Sequence, residues 1–336
     1  MKGLILSGGK GTRLRPLTYT RAKQLVPVAN KPVLFYGVEA ILAAGIREIG
    51  VVVGDTREEI QAALGDGSRF GAKITYIEQD APKGLAHAVL ISEPFLRGEP
   101  FVMYLGDNLI ADGITALVDD YRRIGCNSQI LLAHVPNPEQ FGVAELSNGR
   151  VVRLTEKPKE PKSDLALVGV YMFDDAIFEA VRSITPSGRQ ELEITDAIQW
   201  LVDHGKSVHP HIVSGWWKDT GKIEDMLEAN RIILDTFSAR GCESVDSGCR
   251  VEGKVVIEPG ARLVGSTVRG PAIIGSGAEI RDAFVGPYTS IGPDCFVERC
   301  EIENSIVLRG SRLERIPGRI ADSLIGTNVR IHPGVA

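Results

Sequence analysis

Two places in this sequence carry residue types suited to phosphate chemistry. The first is Ser7-Gly8-Gly9-Lys10-Gly11-Thr12-Arg13-Leu14, a glycine-rich turn that follows the apolar run Leu4-Ile5-Leu6. Glycines let backbone N–H groups approach phosphate oxygens closely, so a turn of this kind makes an anion-binding concavity. It is not a Walker A loop, because Lys10 sits among the glycines and is followed by Gly11 rather than a hydroxyl residue. Nor is it a dinucleotide fingerprint, since Leu14 stands where a third glycine or alanine is needed. A plain strand-to-loop connection has the same composition, so the turn alone leaves both readings open. The second place is Asp107, just beyond the apolar run 101–105. An unpaired carboxylate at the end of a buried strand is costly to hold. A Mg²⁺ ligand resolves that cost, because Mg²⁺ takes one or two carboxylates together with waters and substrate phosphates. A turn-forming Asp107-Asn108 pair at a helix start is the structural alternative.

The elements that must position these groups can be read from periodicity. Short apolar runs at 3–6, 49–53, 74–77, 101–105 and 129–135 alternate with helical patterns at 33–44, 57–64, 85–92 and 114–124. That alternation predicts βαβ units around a mostly parallel, Rossmann-like sheet, with ligands at the carboxyl ends of the strands. The later part, with strand patterns at 143–156 and 165–173 and helices near 193–203 and 223–235, is more mixed. Beyond a polar stretch near 238–248, aliphatics recur at Val251, Ile257, Leu263, Val268, Ile274, Ile280, Val285, Ile291, Val297, Ile302, Leu308 and Leu313, in steps of about six, six and five. Glycines follow in Ile274-Gly275, Val285-Gly286, Ile291-Gly292 and Ile325-Gly326, read as turn positions relieved of Cβ strain. A six-residue aliphatic phase predicts a parallel β-helix of hexapeptide repeats, with a loop or displaced coil near 316–318. An antiparallel sandwich has no reason to keep that phase. The expected domains are therefore 1–237 for the catalytic part, 238–249 as linker and 250–336 for the β-helix.

Bulk properties narrow the function. A formal charge of −5 supplies no basic footprint for a nucleic-acid backbone. Cys126, Cys242, Cys249, Cys295 and Cys300 are odd in number and scattered, and read as reduced thiols. The run after Met1 is too short for a signal h-region and no run reaches a membrane span, so a soluble, cytoplasmic protein is expected. His209-Pro210-His211 reads as a pair of surface strand histidines rather than a metal site.

The glycine turn continues as Arg15-Pro16-Leu17-Thr18, then Lys23, then Pro27-Val28-Ala29-Asn30-Lys31-Pro32. Further on come Gln79 with Gly84-Leu85-Ala86, then Gly106-Asp107-Asn108, Phe141-Gly142-Val143 and Glu156-Lys157-Pro158. Arg189, Glu191-Leu192-Glu193-Ile194-Thr195-Asp196 and Trp217-Lys218-Asp219-Thr220-Gly221 follow. Over residues 1 to about 237 this string resembles the nucleotidyltransferases that make nucleoside-diphosphate sugars, and within them the long-form thymidylyltransferases with a left-handed β-helical tail.

That resemblance implies transfer of a nucleotidyl group from dTTP to α-D-glucose 1-phosphate with release of pyrophosphate. It assigns Arg13, Lys23, Asp107, Lys157 and Asp219 to catalysis. It assigns the nucleotide to Leu6, Gly8, Gly9, Gly11, Thr12, Arg13, Lys23, Gln79, Gly84 and Asp107, with Gln79 at the base edge. The sugar phosphate falls to Gly142, Glu156, Lys157, Val168 and Arg189, and Mg²⁺ to Asp107 and Asp219. The chemistry accounts for such a set, because two polyanions must meet and charge grows on the leaving pyrophosphate, so cations and positioning dominate. Arginine offers a rigid fork of donors and lysine a point charge. One departure is Phe141, where short-form thymidylyltransferases usually carry tyrosine.

UTP is the competing nucleotide, because a thymine methyl is worth only about 1–3 kcal/mol in an apolar pocket. A non-catalytic regulatory subunit of the same architecture would have lost cationic or carboxylate positions that are all present here. Acyl transfer on the β-helix is disfavoured by a tail whose one histidine is His332. The stacked coils lead to the expectation of a homo-oligomer built on trimers.

Overall fold

Strand β1 (Lys2–Leu6) sends Leu4 and Leu6 into one apolar cluster and Ile5 into another, so its apolar run reflects burial on both faces. This computed structural model describes residues 1–9, 11–19, 21–241 and 245–334; Lys10 and Cys242 lie outside the described residues. The chain divides into two compact units that do not follow chain order. One comprises Met1–Gly11, Thr20–Leu25 and Leu34–Asp219, the other Thr12–Tyr19, Val26–Val33 and Thr220–Ala336.

The first unit is built on a nine-stranded mixed sheet. Around β1 stand β2 (Glu48–Val53), β3 (Lys73–Glu78) and β4 (Phe101–Leu105), all in parallel pairings. The short strand β5 (Asn108–Ile110) follows β4. The helices Val33–Ala43, Arg57–Leu64 and Thr115–Ile124 bury Val38, Ile41, Ile60, Leu64 and Val118 against one sheet face. On the other face Leu85–Ile91, Ala176–Ser183 and Ile194–Asp203 contribute Ala86, Val89, Ile177, Ile198 and Leu201. The helix Ala176–Ser183 was not among the sequence expectations.

The mixed half follows from turn chemistry. Asn148 and Gly149 both take positive φ (49° and 73°), closing a hairpin between β6 (Gly142–Ser147) and β7 (Arg150–Glu156). The single pattern expected over 143–156 is therefore two strands. Strand β8 (Leu165–Phe173), buried throughout, runs antiparallel to β4 and joins this half to the parallel half.

In the second unit every pairing of β-helical strands is parallel, in three five-stranded sheets that stack coil on coil as a left-handed β-helix of hexapeptide repeats. Val268, Ile274, Ile280, Val285, Ile291 and Val297 are wholly buried inside it. The register step is seventeen residues at Ala272↔Thr289, shortens to sixteen at Ser290↔Ile306 and lengthens to eighteen at Ile306↔Leu324. The expected break near 316–318 is thus no displaced coil. Extra length is absorbed in a turn where Arg315 and Gly318 take positive φ, and pairing resumes at Arg319–Ile320.

The glycine expectation needs a correction. Gly275, Gly286, Gly292 and Gly326 are not at positive φ; Asp282, Asp294, Asn304, Asp322 and Asn328 occupy left-handed positions instead. Glycine is required by the neighbouring coil, since a Cβ on Gly275 would lie 2.6 Å from the Gly292 carbonyl carbon, and one on Gly292 the same distance from the Val307 oxygen.

The same unit gathers part of the N-terminal signature. A two-residue turn, Ala29 and Asn30 at φ 48° and 61°, joins Pro27–Val28 to Lys31–Pro32. Buried Asn230, on the helix Ile223–Asp235, accepts from Ala29 N–H (2.9 Å) and the Ser290 hydroxyl (2.7 Å) and donates to the Tyr288 carbonyl (3.0 Å). Asn30 donates to the Ile291 carbonyl at 2.8 Å. Cys126, Cys249, Cys295 and Cys300 are free thiols, and among the described residues no helix is long and apolar enough to cross a membrane.

Candidate active site

The carboxyl ends of β1 and β4 lie side by side, with Gly106 N–H donating to the Leu6 carbonyl at 3.0 Å. This brings the start of the glycine turn next to Asp107. Lys23, in a short 3₁₀ turn (Lys23–Leu25), pairs its ammonium with the Asp107 carboxylate, both side chains being largely buried. Burial works against ionisation of Asp107, yet Lys23 more than offsets it and holds the carboxyl below its ordinary range. Lys23 also borders the turn, since a Cβ on Gly9 would lie 3.6 Å from its Cε.

Asp219 reaches this place through a second strand pair. The strand β9 (Trp217–Asp219) runs antiparallel to β5 with Asp219 opposite Asn108. Asn108, 2% exposed, fixes the corner: it donates to Asp107 at 3.0 Å, accepts from Trp217 Nε1 at 2.6 Å, and its carbonyl accepts from Tyr104 at 3.1 Å. Its side chain also explains Gly169, where a Cβ would meet Asn108 Oδ1 at 2.7 Å. Asn108 and Trp217 were read only as landmarks in the sequence; the one signal was an amide beside a buried carboxylate. The donor chemistry suits a hard cation: two carboxylates and no thiolate or imidazole, with no group of three or more metal-ligating side chains among the described residues. Mg²⁺ shared with substrate phosphates requires no more.

Gln79 follows β3 and faces the glycine turn, because a Cβ on Gly8 would lie 3.2 Å from Gln79 Oε1. Gly84 has φ 100°, and a Cβ there would meet the Leu192 carbonyl oxygen at 2.3 Å. Its need for glycine is therefore set by Leu192. Gly8, Gly9 and Gly11 belong to the first unit, whereas Thr12 and Arg13 fall in the second, exposed, in the 3₁₀ turn Thr12–Leu14.

The sugar-side residues form their own cluster. Glu156 ends β7 opposite Gly142, and a Cβ on Gly142 would lie 2.7 Å from Thr195 Oγ1. Thr195 donates to Glu156 at 2.7 Å, while Arg189 donates to Glu156 at 3.0 Å and to both oxygens of Glu193 at 2.9 and 2.8 Å. Burial opposes the charge of Arg189, but Glu193, Glu156 and Glu191 outweigh it. Lys157, at φ 43°, lies 3.7 Å from Glu156, its backbone N–H bonded to the Phe141 carbonyl at 3.0 Å. Phe141 packs edge-on against Trp217 at 5.4 Å, linking this cluster to the Asp219 strand. An open cavity of about 510 Å³ is lined by Arg153, Glu156, Lys157, Arg189, Glu193 and Asp196. Burial and then repulsion from Glu193 and Glu156 raise the Asp196 pKa. Such a corner offers many acceptors for hydroxyl groups and cations for an anionic group. Val168 is different: its side chain is wholly buried in the core, which corrects any expectation of a side-chain contact with the sugar. Glu193 and Thr195, which here hold Arg189 and Glu156, were not singled out in the sequence, although the run Glu191–Asp196 was noted.

Comparison with known proteins places the chain in one family. The family model for nucleotidyl transferase matches residues 2–236. The chain is 55% identical over 332 residues to a glucose-1-phosphate thymidylyltransferase of Streptomyces griseus, covering 98% of this chain and 93% of that one. It is 56% identical over 335 residues to the enzyme of the same name from Streptomyces antibioticus, with the same coverage. The solved structure of a UDP-glucose pyrophosphorylase in complex with UDP-glucose aligns with a TM-score of 0.61 at 27% identity, over 70% of this chain and 98% of that one. With residues 2–236 matched by the family model and relatives of 55–56% identity matched over nearly its whole length, the chain belongs to the nucleotidyl transferase family.

Proposed function

We propose that this chain transfers the thymidylyl group of dTTP to α-D-glucose 1-phosphate in the cytoplasm, giving dTDP-glucose and pyrophosphate. A phosphate oxygen of the sugar phosphate attacks the α-phosphorus in line; the new O–P bond forms as the bond to the β-phosphate bridging oxygen breaks. The reading is supported most by the largely buried Lys23–Asp107 pair beside the glycine turn, in a chain whose full-length relatives bear the thymidylyltransferase name.

In this reading Arg13 and Lys23 hold the triphosphate, with Leu6, Gly8, Gly9, Gly11 and Thr12 forming its backbone cradle and Lys23 beside the α-phosphate. Gln79 faces the base. Glu156 accepts from sugar hydroxyls, with Gly142 allowing its close packing against Thr195, while Lys157 and Arg189 attract the sugar phosphate. A magnesium ion, when bound by Asp107 and Asp219, supplies positive charge to the phosphates. No covalent nucleophile is needed, because positioning and charge carry phosphoryl chemistry.

Pyrophosphate release is the test, measured with each of dTTP, UTP, ATP and GTP against glucose 1-phosphate. The highest kcat/KM is expected with dTTP. A UTP preference would move the reading to a uridylyltransferase, and no turnover with any pair would end it. We also propose that the β-helix mediates self-association into a trimer or a multiple of it. Light scattering at micromolar concentration should give at least the trimer mass; a monomer would contradict it.

A further inference from the structure

Gln79 makes two contacts that fix which end of its amide meets a ligand. Its Nε2 donates to the Gly84 carbonyl at 3.4 Å and contacts His87 Nδ1 at 3.1 Å. The Gly84 oxygen can only accept, so the amide nitrogen must face it; the flipped amide would set oxygen against oxygen. With the nitrogen there, His87 Nδ1 must be the acceptor and its proton must sit on Nε2. His87 lies in the first turn of the helix Leu85–Ile91 and is partly buried. Burial and then the charge of Lys83 lower its pKa, against an opposing pull from Asp80, which keeps the ring neutral near pH 7. Both amide hydrogens are thus taken up by the protein, and Oε1, on the Gly8 side, is what remains for a base.

We infer that the Gly84 carbonyl sets the Gln79 amide carbonyl-outward and that His87, at the shorter of the two contacts, is a positioning residue that holds it there, so that the nucleotide site selects a base carrying an imide N–H. The inference rests on the reading that Gln79 faces the base. Thymine and uracil present a donor at N3 and pair with Oε1. Cytosine presents a lone pair at N3, and two lone pairs then face each other without water between them. An amide free to rotate would satisfy either ring.

The test is the ratio of kcat/KM for dTTP to that for dCTP, with the Ki of dCTP against dTTP where its turnover is too slow to time. His87→Leu, which removes the acceptor but keeps an apolar helix residue, should lower the ratio about tenfold, the worth of one oriented neutral hydrogen bond. His87→Asn, whose Oδ1 stands near the place of Nδ1, should keep the ratio within about threefold of wild type. A purely structural role for His87 would lower both rates together and leave the ratio alone. An unchanged ratio in His87→Leu, with Gln79→Ala collapsing it, would overturn the role of His87 while leaving the base reading intact. An unchanged ratio in Gln79→Ala would remove the base reading itself. If the leucine variant does not fold, His87→Ala replaces it with the same expected and contrary outcomes.

Discussion

Asp107→Asn is expected to lower kcat by about 10²–10³-fold at saturating magnesium, as removal of one preorganised electrostatic group does. The substitution keeps the size of the side chain and an oxygen to accept from Asn108, whose donor now lies 3.0 Å away. What disappears is one negative charge facing Lys23. A charge role therefore predicts a fall in kcat with little change in the KM for glucose 1-phosphate, which the proposed reading gives to the separate cluster of Glu156, Lys157 and Arg189. Steady-state pyrophosphate release over a magnesium titration reads both. Wild-type rates at every magnesium concentration would remove Asp107 from the chemistry.

Lys23→Met should cost about as much, 10²–10³-fold in kcat/KM for the nucleotide, because the lost ammonium neutralises charge growing on the leaving group. The two residues act as one unit, so the double variant should lie within about tenfold of the worse single one. Full multiplication of the two effects would show that they act independently. A second readout separates charge from shape. Lys23 holds the Asp107 pKa below its ordinary range despite burial. A depressed folded-state pKa stabilises the fold above the ordinary carboxylate range, and that stabilisation is lost as pH falls through the depressed value. Without Lys23 that depression is lost against burial, so the acid-labile stabilisation from Asp107 shrinks rather than moving to higher pH. In metal-free buffer the unfolding free energy should therefore fall less steeply from neutral to acid pH in Lys23→Met than in wild type, and identical slopes would mean that the pair contributes nothing to folding.

Some of this molecule is written locally. The apolar run before the glycine turn, the run before Asp107 and the six-residue phase from Val251 onward each reflect burial of near neighbours in the chain, and each stands in the fold as an element of the expected kind. Boundaries differed by a residue or two where helices fray, as at Ala43 and Ile91. Asp107 stood out by its place after an apolar run, whereas Lys23 and Asp219 were assigned through the family resemblance. What periodicity does not carry is which distant side chains meet. Asp219 stands opposite Asn108 because two three-residue strands pair, and strands so short leave hardly any period to read. Ala29 is bonded to Asn230, and part of the N-terminal signature is grouped with the β-helix, through contacts between segments far apart in sequence. Gly275 and Gly292 show the same division: their positions were visible, but their cause is the backbone of the next coil, 2.6 Å from where a Cβ would be. Local pattern records how much of a residue is covered; only the assembled sheet register decides by what.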